Sequence, residues 1–203
     1  MSGALHIAIL AAGKARRFGG AKLDLPIAGK ALGRWALDSA LALNASRLVI
    51  IVPEDSPAFA RNAAERGLAT LVVNAEPDNG LSSSVAVAAA DADAAGSDAL
   101  LLMLADMPAV TSETLRQLVE KGRAEAPAAV RHENGNAGIP ACFPRDYFAA
   151  LKSLKGDRGA AALLRRAPNL QLLAVRPAEL RDVDVLEDVA AASRTLFAQL
   201  RGG

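Results

Sequence analysis

The residues best suited to chemistry lie in a glycine-rich, basic segment at positions 10–22, with the sequence LAAGKARRFGGAK. The segment ends a short apolar run and contains three glycines and four basic side chains. Glycine lets backbone N–H groups approach an anion without an intervening Cβ, and basic side chains add charge-assisted hydrogen bonds. Because doubly wound folds bind ligands at the carboxyl ends of their strands, the segment predicts a phosphate-binding loop.

Two well-known phosphate-binding patterns do not fit this loop. A Walker loop requires GxxxxGK[ST], and the residues after Gly13 and Gly20 do not continue in that way. The dinucleotide fingerprint GxGxxG requires a glycine two positions after Gly13, where the chain has Ala15. These mismatches exclude an oxidoreductase built on a dinucleotide fold. A phosphate loop of a third kind and an ordinary strand-to-helix turn with exposed cations remain as alternatives.

Two acidic positions are candidate metal ligands. Asp106 directly follows the apolar run at 99–105, so its carboxylate is expected where a buried strand emerges. Asp182 and Asp184 alternate in RDVDVLEDV, and in an extended segment their side chains would point to opposite faces. Two carboxylates from distant segments suit Mg²⁺, with Mn²⁺ as the alternative, whereas zinc lacks ligand candidates. Each acid could instead serve as a turn or helix-capping residue.

The pattern LAAGxxxRFGGxK resembles the opening signature of the nucleotidyltransferase superfamily of MobA-like NTP transferases. That superfamily contains molybdenum cofactor cytidylyltransferases, to which the chain is most similar, molybdopterin guanylyltransferases and sugar-phosphate nucleotidylyltransferases. The resemblance implies catalytic roles on the triphosphate for Arg16 and Lys22. It also implies backbone contacts to the nucleotide from Leu10, Ala11, Ala12 and Gly13.

Three further segments carry the same resemblance. LADMPAVTSETLRQLV resembles the second family motif, which implies that Asp106 is a catalytic metal ligand. Asp184 occupies the place of a late metal-binding acid, although Val185 and Leu186 replace the usual Thr and Pro. The segment NAEPDNGLSSSVAVAAA resembles the part of the family that lies near the nucleotide base or the acceptor. Its implied binding residues are Asn74, Gly80, Ser82 and Ser83, although plain helix capping by the serines is an equal alternative.

The resemblance implies transfer of a nucleoside monophosphate from a nucleoside triphosphate to a phosphorylated small-molecule acceptor, with release of pyrophosphate. The Ala11-Ala12 dipeptide resembles the cytidylyltransferase branch, so CTP and a molybdopterin acceptor are expected, with a molybdoenzyme or cofactor chaperone as a partner. A sugar phosphate, another phosphorylated acceptor or molybdopterin guanylyl transfer stays open, because Ala86 and Ile139 replace an arginine and a histidine of the relatives. A non-catalytic nucleotide-binding regulator is the alternative of a different class.

Short apolar runs alternate with Ala-rich segments of helical spacing, which predicts an α/β fold. The expected form is a single-domain, Rossmann-like three-layer sandwich around a mostly parallel, doubly wound sheet. Strands are predicted at 6–11, 47–53, 70–74, 98–105, 128–131, 138–143 and 170–175. Helices are predicted at 31–43, 56–66, 83–95, 112–124, 145–154, 157–166 and 186–200. A strand order of 3-2-1-4 would place Asp106 opposite the glycine-rich loop.

The composition restricts partners and location. The 203 residues, 52% of them hydrophobic, fit one domain over residues 1–203. A net charge of +1 and 3% aromatic residues disfavour a nucleic-acid partner. The apolar runs are too short to span a membrane, and the single cysteine, Cys142, cannot form an internal disulfide. A soluble, cytoplasmic protein is therefore expected.

Overall fold

The computed structural model describes residues 3–13, 22–122, 126–156 and 159–202. The strands are β1 (Leu5–Leu10), β2 (Pro26–Ile27), β3 (Lys30–Ala31), β4 (Arg47–Val52), β5 (Thr70–Val73), β6 (Ala99–Leu104), β7 (Ala128–Arg131), β8 (Ala137–Pro144) and β9 (Gln171–Ala174). The helices are α1 (Leu32–Leu41), α2 (Ala58–Glu65), α3 (Leu81–Ala94), α4 (Ser112–Gly122), α5 (Phe148–Lys152), α6 (Ala161–Leu164) and α7 (Leu186–Gly202).

Seven of the strands form one sheet in the order β5-β4-β1-β6-β8-β7-β9. Neighbours are parallel except that β8 runs antiparallel to both β6 and β7. This arrangement confirms the predicted α/β class with a mostly parallel sheet. The first four predicted strands are β1, β4, β5 and β6, and their spatial order is the expected 3-2-1-4. Helices cover both faces of the sheet.

The central strands form because their residues are apolar on both faces. Every residue of β1 is buried, and β6 is buried except at its last residue. A strand buried on both faces reads as a continuous apolar run rather than an alternation, as expected for a parallel sheet between helices. One core cluster packs α1, α2 and α4 against one face, and a second packs α3, α5 and α6 against the other.

A third apolar cluster lies beyond the edge of the main sheet. The antiparallel pair β2–β3, α1 and α7 meet there, around the buried residues Ile27, Trp35, Val183 and Leu196. The Trp35 ring N–H donates to the carbonyl of Ile27 at 2.9 Å, which ties α1 to the β2–β3 pair. Two-residue strands give no periodicity, so the sequence did not predict this pair.

Several predicted helices begin elsewhere: α2 starts at Ala58 rather than at 56, and α6 starts at Ala161 rather than at 157, where residues 157–158 lie outside the described part of the chain. Local chemistry accounts for two other shifted starts. The third helix begins at Leu81, two residues earlier than expected, because Gly80 precedes it with a φ of 80° that favours glycine. The predicted helix at 145–154 begins instead as a 3-10 turn, Arg145–Tyr147, before α5. No helix in the described part of the chain is both long and apolar enough to cross a membrane.

Candidate active site

The central strands β1 and β6 end at the same edge of the sheet. The N–H of Ala105 donates to the carbonyl of Leu10 at 3.1 Å, so Asp106 leaves the sheet beside the start of the glycine-rich segment. In that segment, the structure buries Leu10, Ala11 and Ala12 and leaves Gly13 exposed. Residues 14–21 of the loop, which include the predicted triphosphate ligand Arg16, lie outside the described residues.

Lys22 brings a positive charge to this edge of the sheet. Its ammonium Nζ lies 2.9 Å from Oδ2 of Asp106 and 2.7 Å from Oδ1 of Asp184. The Lys22 side chain is 8% exposed, that of Asp106 26% and that of Asp184 55%. The structure thus brings together three predicted site residues that are separated by 84 and 162 positions in the sequence.

The two carboxylates determine the charge state of the lysine. Burial alone would lower the pKa of the Lys22 ammonium, but Coulomb attraction to Asp106 and hydrogen bonds to both acids outweigh it. The net effect raises the pKa above its usual value, so Lys22 stays protonated at neutral pH. The site therefore contains a permanent ammonium held between two anions.

Lys22 is anchored through the nearby Asp24. The two residues belong to one 3-10 turn, and the Asp24 carboxylate accepts hydrogen bonds from the backbone N–H groups of Ala58 and Phe59 at 2.8 and 2.7 Å. These N–H groups belong to the first turn of α2, where a carboxylate satisfies free donors and interacts favourably with the helix dipole. Sequence reasoning missed this contact, because the partners lie 34 and 35 positions apart and no local pattern marks them.

Asp184 reaches the site because its neighbour Val183 is fixed. The Val183 side chain is fully buried, and its backbone N–H donates to the carbonyl of Asp106 at 3.1 Å. The Asp188 carboxylate, in the first turn of α7, accepts the N–H groups of Asp184 and Val185 at 2.9 Å each. Asp188, the third residue of α7, thus reaches back to the N–H groups that precede the helix, while the Asp184 carboxylate accepts a hydrogen bond from Lys22. The sequence did contain a signal for this contact, because Asp188 lies three residues after Val185, the spacing at which an acid in the first helical turn reaches back to the residue before the helix.

The expectation that Asp182 and Asp184 point to opposite faces of an extended segment stays a prediction. Residues 181–184 do not form a strand, so the two-residue alternation of strands does not decide it. Desolvation and repulsion from the carboxylates of Asp184 and Asp106 raise the pKa of Asp182. Asp182 therefore contributes to the electrostatics of the same site, although its side chain does not contact Lys22 in the way the other two acids do.

The predicted nucleotide or acceptor segment assembles at the start of α3. The buried Asn74 side chain donates through Nδ2 to the hydroxyls of Ser83 and Ser84 at 2.8 and 3.0 Å. Its Oδ1 accepts the N–H of Glu76 at 3.0 Å. The hydroxyl of Ser83 donates to the carbonyl of Gly80 at 2.8 Å. Asn74 is therefore placed to orient the serine-rich turn, and its contact with the nucleotide stays a prediction.

Ser82 differs from its neighbours in this turn. Its side chain is 1% exposed, and its buried Oγ has no hydrogen-bond partner among the described residues. Two residues that the sequence singled out as departures from the resemblance also have clear positions. Ala86 is half-buried on the same helix, and Ile139 is buried in the apolar cluster that includes residues of α3.

The donor set at Lys22 fits a divalent cation. Oxygen atoms from two separate carboxylates converge on one positive nitrogen, so the ammonium stands in for a cation held between them. Mg²⁺ is commonly bound through one or two protein carboxylates and completes its shell with water and substrate phosphates. Within the described residues, no group of three His, Cys, Asp or Glu side chains is arranged to hold an ion.

The strand order reverses between β1 and β6, and this switch point is where open α/β sheets bind nucleotides. The fold and the site together thus define a nucleotide-binding α/β protein. Residues 7–172 match the MobA-like NTP transferase domain, and the chain belongs to this family. It is therefore a nucleotidyltransferase, which confirms the family and enzyme class expected from the sequence.

Two relatives are similar over most of the chain. Purine catabolism protein PucB from Bacillus subtilis (strain 168) is 30% identical over 192 residues, covering 89% of this chain and 88% of the relative. Phosphoenolpyruvate guanylyltransferase from Sphaerobacter thermophilus is 32% identical over 166 residues, covering 75% and 78% respectively. The similarity to these relatives is not limited to the glycine-rich loop.

Solved structures share the fold and include a metal complex. Rv0371c from Mycobacterium tuberculosis H37Rv is 27% identical, has a TM-score of 0.78 and covers 96% of this chain and 100% of its own. The structure of Rv0371c in complex with manganese has a TM-score of 0.72 at 27% identity, covering 94% and 98%. A protein with this fold and related sequence has thus been observed with a divalent ion.

Proposed function

We propose that this nucleotidyltransferase transfers CMP from CTP to the phosphate of a molybdopterin acceptor and releases pyrophosphate. The observation that carries the proposal is the convergence of Lys22, Asp106 and Asp184 beside the glycine-rich loop. A triphosphate bound by that loop would place its anionic oxygens next to the ammonium. The charge pattern supports binding and activation of a triphosphate rather than binding of a neutral ligand.

The reaction requires alignment and charge neutralisation more than proton transfer. An acceptor phosphate oxygen forms a bond to the α-phosphorus, the bond from that phosphorus to the bridging oxygen breaks, and pyrophosphate leaves with the electron pair. The acceptor phosphate is already an anion at neutral pH, so its attack requires no general base. Stabilising the leaving pyrophosphate is the main task, as in other phosphoryl transfers.

Each proposed residue has a part in that task. The backbone from Leu10 to Gly13 binds the phosphates, and Arg16 and Lys22 carry the charges that hold the triphosphate and stabilise the leaving pyrophosphate. The start of α3, with Gly80, Ser82 and Ser83 held by Asn74, binds the base or the acceptor, because free N–H groups at a helix N-terminus favour anionic or polar partners.

The proposed metal ligands are Asp106 and Asp184. When bound, Mg²⁺ would supply positive charge against the triphosphate oxygens, and Mn²⁺ is the alternative ion. The convergence of the two carboxylates on one cation supports this assignment, as does the manganese complex of the mycobacterial relative. The Val183 hydrogen bond to the carbonyl of Asp106 would keep the two ligands at a fixed separation.

A second candidate is guanylyl transfer from GTP. One relative with 32% identity is named phosphoenolpyruvate guanylyltransferase, which favours GTP and a small phosphorylated carboxylate as acceptor. CTP remains the first choice because Ala11-Ala12 resembles the cytidylyltransferase branch. Buried Ile139 and half-buried Ala86 replace two polar residues of the cofactor-processing relatives, and this keeps a different acceptor open.

The test is pyrophosphate release from a panel of CTP, GTP, ATP and UTP, each with Mg²⁺ or Mn²⁺ and each with molybdopterin, phosphoenolpyruvate or a sugar phosphate. We expect the highest release with CTP and molybdopterin. Release with GTP and phosphoenolpyruvate alone would favour the second candidate. Thermal stabilisation by a triphosphate without turnover with any acceptor would contradict transfer and indicate a nucleotide-binding regulator.

A further inference from the structure

Lys22 occupies the position that a bridging metal ion would need. Its Nζ is 2.9 and 2.7 Å from one oxygen of each carboxylate. Mg²⁺ binds carboxylate oxygens at about 2.0–2.1 Å, so an ion bridging the same two oxygens would overlap the space of the ammonium. The two positive charges would also repel each other. Lys22 and a divalent ion therefore compete for the Asp106–Asp184 pair.

We propose that Lys22 is the resident counter-cation of the Asp106–Asp184 pair and leaves it only when the phosphates of a nucleotide offer the ammonium another anion. This inference rests on the proposed function, because it takes the two acids as the metal ligands. It adds an order of events: the triphosphate draws Lys22 away, and the carboxylates then become available to the metal. The same lysine therefore blocks the metal site in the free protein and binds the phosphates when the nucleotide is present.

Energetics and chain geometry support such an exchange. A buried charge that loses its partner is strongly disfavoured, so the ammonium, with a side chain 8% exposed, cannot simply move into an apolar pocket. A lysine has a flexible four-carbon stem and three donors that can turn toward a new anion. Lys22 is also the last residue of the glycine-rich segment, so a bound triphosphate would lie within the same loop. Meanwhile the Asp24 anchor on α2 keeps its backbone in place.

The exchange predicts positive coupling between nucleotide and metal. The protein alone should bind a divalent ion weakly, because the ion must displace an ion-paired ammonium. A nucleotide that removes the ammonium from the carboxylate pair should increase the affinity for the metal. By thermodynamic linkage, the metal must then increase the affinity for the nucleotide by the same factor. Replacing Lys22 with a neutral residue should mimic that removal without any nucleotide.

The first test measures Mn²⁺ binding to the full chain without nucleotide, by the loss of the free-ion electron paramagnetic resonance signal. The variants are K22M and, as a charge-matched control, K152M. The ammonium of Lys152 pairs with Asp93 on an exposed surface, so K152M removes one positive charge outside the site. We expect K22M to bind Mn²⁺ about tenfold more tightly than wild type or better, a change of about 1.4 kcal/mol. K152M should match wild type.

The outcomes separate this inference from the proposed function. Equal Mn²⁺ affinity in wild type and K22M would overturn the displacement but leave the metal site in place. Absence of Mn²⁺ binding in both proteins would overturn both the displacement and the metal-ligand assignment. Equal tightening in K22M and K152M would also contradict the displacement, because the effect would then reflect net charge alone.

The second test follows Lys22 in the wild-type protein and does not depend on whether K22M folds. In a sample with ¹⁵N-labelled lysine, the buried ammonium should give a distinct Nζ signal, which K22R assigns by its loss. Saturation with CTP, or with GTP if that is the nucleotide bound, in the absence of divalent ions should move that signal from its position in the free protein, and the Lys152 signal should stay unchanged. A Lys22 signal that is unchanged at a saturating concentration of the bound triphosphate would overturn the inference.

Discussion

The backbone N–H of Val183 donates to the carbonyl oxygen of Asp106 at 3.1 Å, and this bond joins the two acidic segments of the site. Val183 is fully buried in the cluster formed by α1, the β2–β3 pair and α7. The residue after it, Asp184, contacts the Lys22 ammonium through Oδ1 at 2.7 Å. The spacing of the two carboxylates is set by backbone pairing and core packing rather than by the flexible side chains.

The first prediction concerns Asp24, whose carboxylate fixes the turn that contains Lys22 to the start of α2. Substitution D24A removes the acceptor of two N–H groups at the start of α2, and we expect a loss of about 1 kcal/mol in the free energy of unfolding. The turnover number should fall as well, because Lys22 loses its fixed backbone. D24N retains one acceptor oxygen and should keep most of both quantities. Urea unfolding and pyrophosphate release measure the two effects. A D24A protein as stable and as active as wild type would show that the anchor has no role.

The start of α3 provides a matched pair of variants. N74A removes the donor to two serine hydroxyls and the acceptor of the Glu76 N–H, so we expect a loss of about 1–3 kcal/mol in unfolding free energy and a higher KM for the nucleotide. S82A removes a buried hydroxyl without a partner among the described residues and should be neutral or slightly stabilising. Chemical denaturation compares them. A large destabilisation by S82A would mean that its hydroxyl is hydrogen-bonded in solution.

The third prediction concerns His6 and the pH dependence of the free energy of unfolding. It is fully buried at the other end of β1, and its pKa is lowered from 6.5 to about 4. Burial is the largest cause, attraction to Asp91 acts against it, and repulsion from Arg47 lowers the pKa further. Its Nε2 lies 3.3 Å from Asp91, but neither ring nitrogen is hydrogen-bonded among the described residues. Between pH 6.5 and 4 the unfolded chain therefore binds a proton that the folded chain does not. This stabilising contribution is complete above pH 6.5 and is lost as the pH falls toward 4.

The expected size of the His6 effect is about 3 kcal/mol across that window. Unfolding free energies measured from pH 7 to pH 4 should fall more steeply for wild type than for H6Q, which cannot titrate. H132Q is the matched control, since it removes the other histidine. Identical slopes for wild type and H6Q would refute the assignment to His6.

Much of the fold was predictable because its signals are local. All seven strands of the main sheet were predicted within one residue at either end, since continuous apolar runs mark strands that are buried on both faces. The order of the first four strands follows from the usual doubly wound connections, and it correctly placed the end of β6 beside the start of the glycine-rich segment. The antiparallel insertion of β8 between β6 and β7 was not predicted, because sequence periodicity does not encode strand direction.

The site was predictable only where residue types are diagnostic. Lys22, Asp106 and Asp184 were selected from motifs, and the structure brings all three together. The supporting contacts of Asp24, Val183 and Asp188 were not predicted, because two of them depend on long-range packing. The triphosphate role of Arg16 stays a prediction, as it lies outside the described residues.

The most direct test of the account is pyrophosphate release from CTP with Mg²⁺ and molybdopterin by wild type, D106N, D184N and D146N. Asp146 is an exposed acid after β8, at the edge of the sheet opposite the site, and serves as the matched control. We predict that D106N and D184N lose about 10²–10³-fold in turnover while remaining folded by circular dichroism, and that D146N matches wild type. Wild-type turnover by folded D106N would contradict the account.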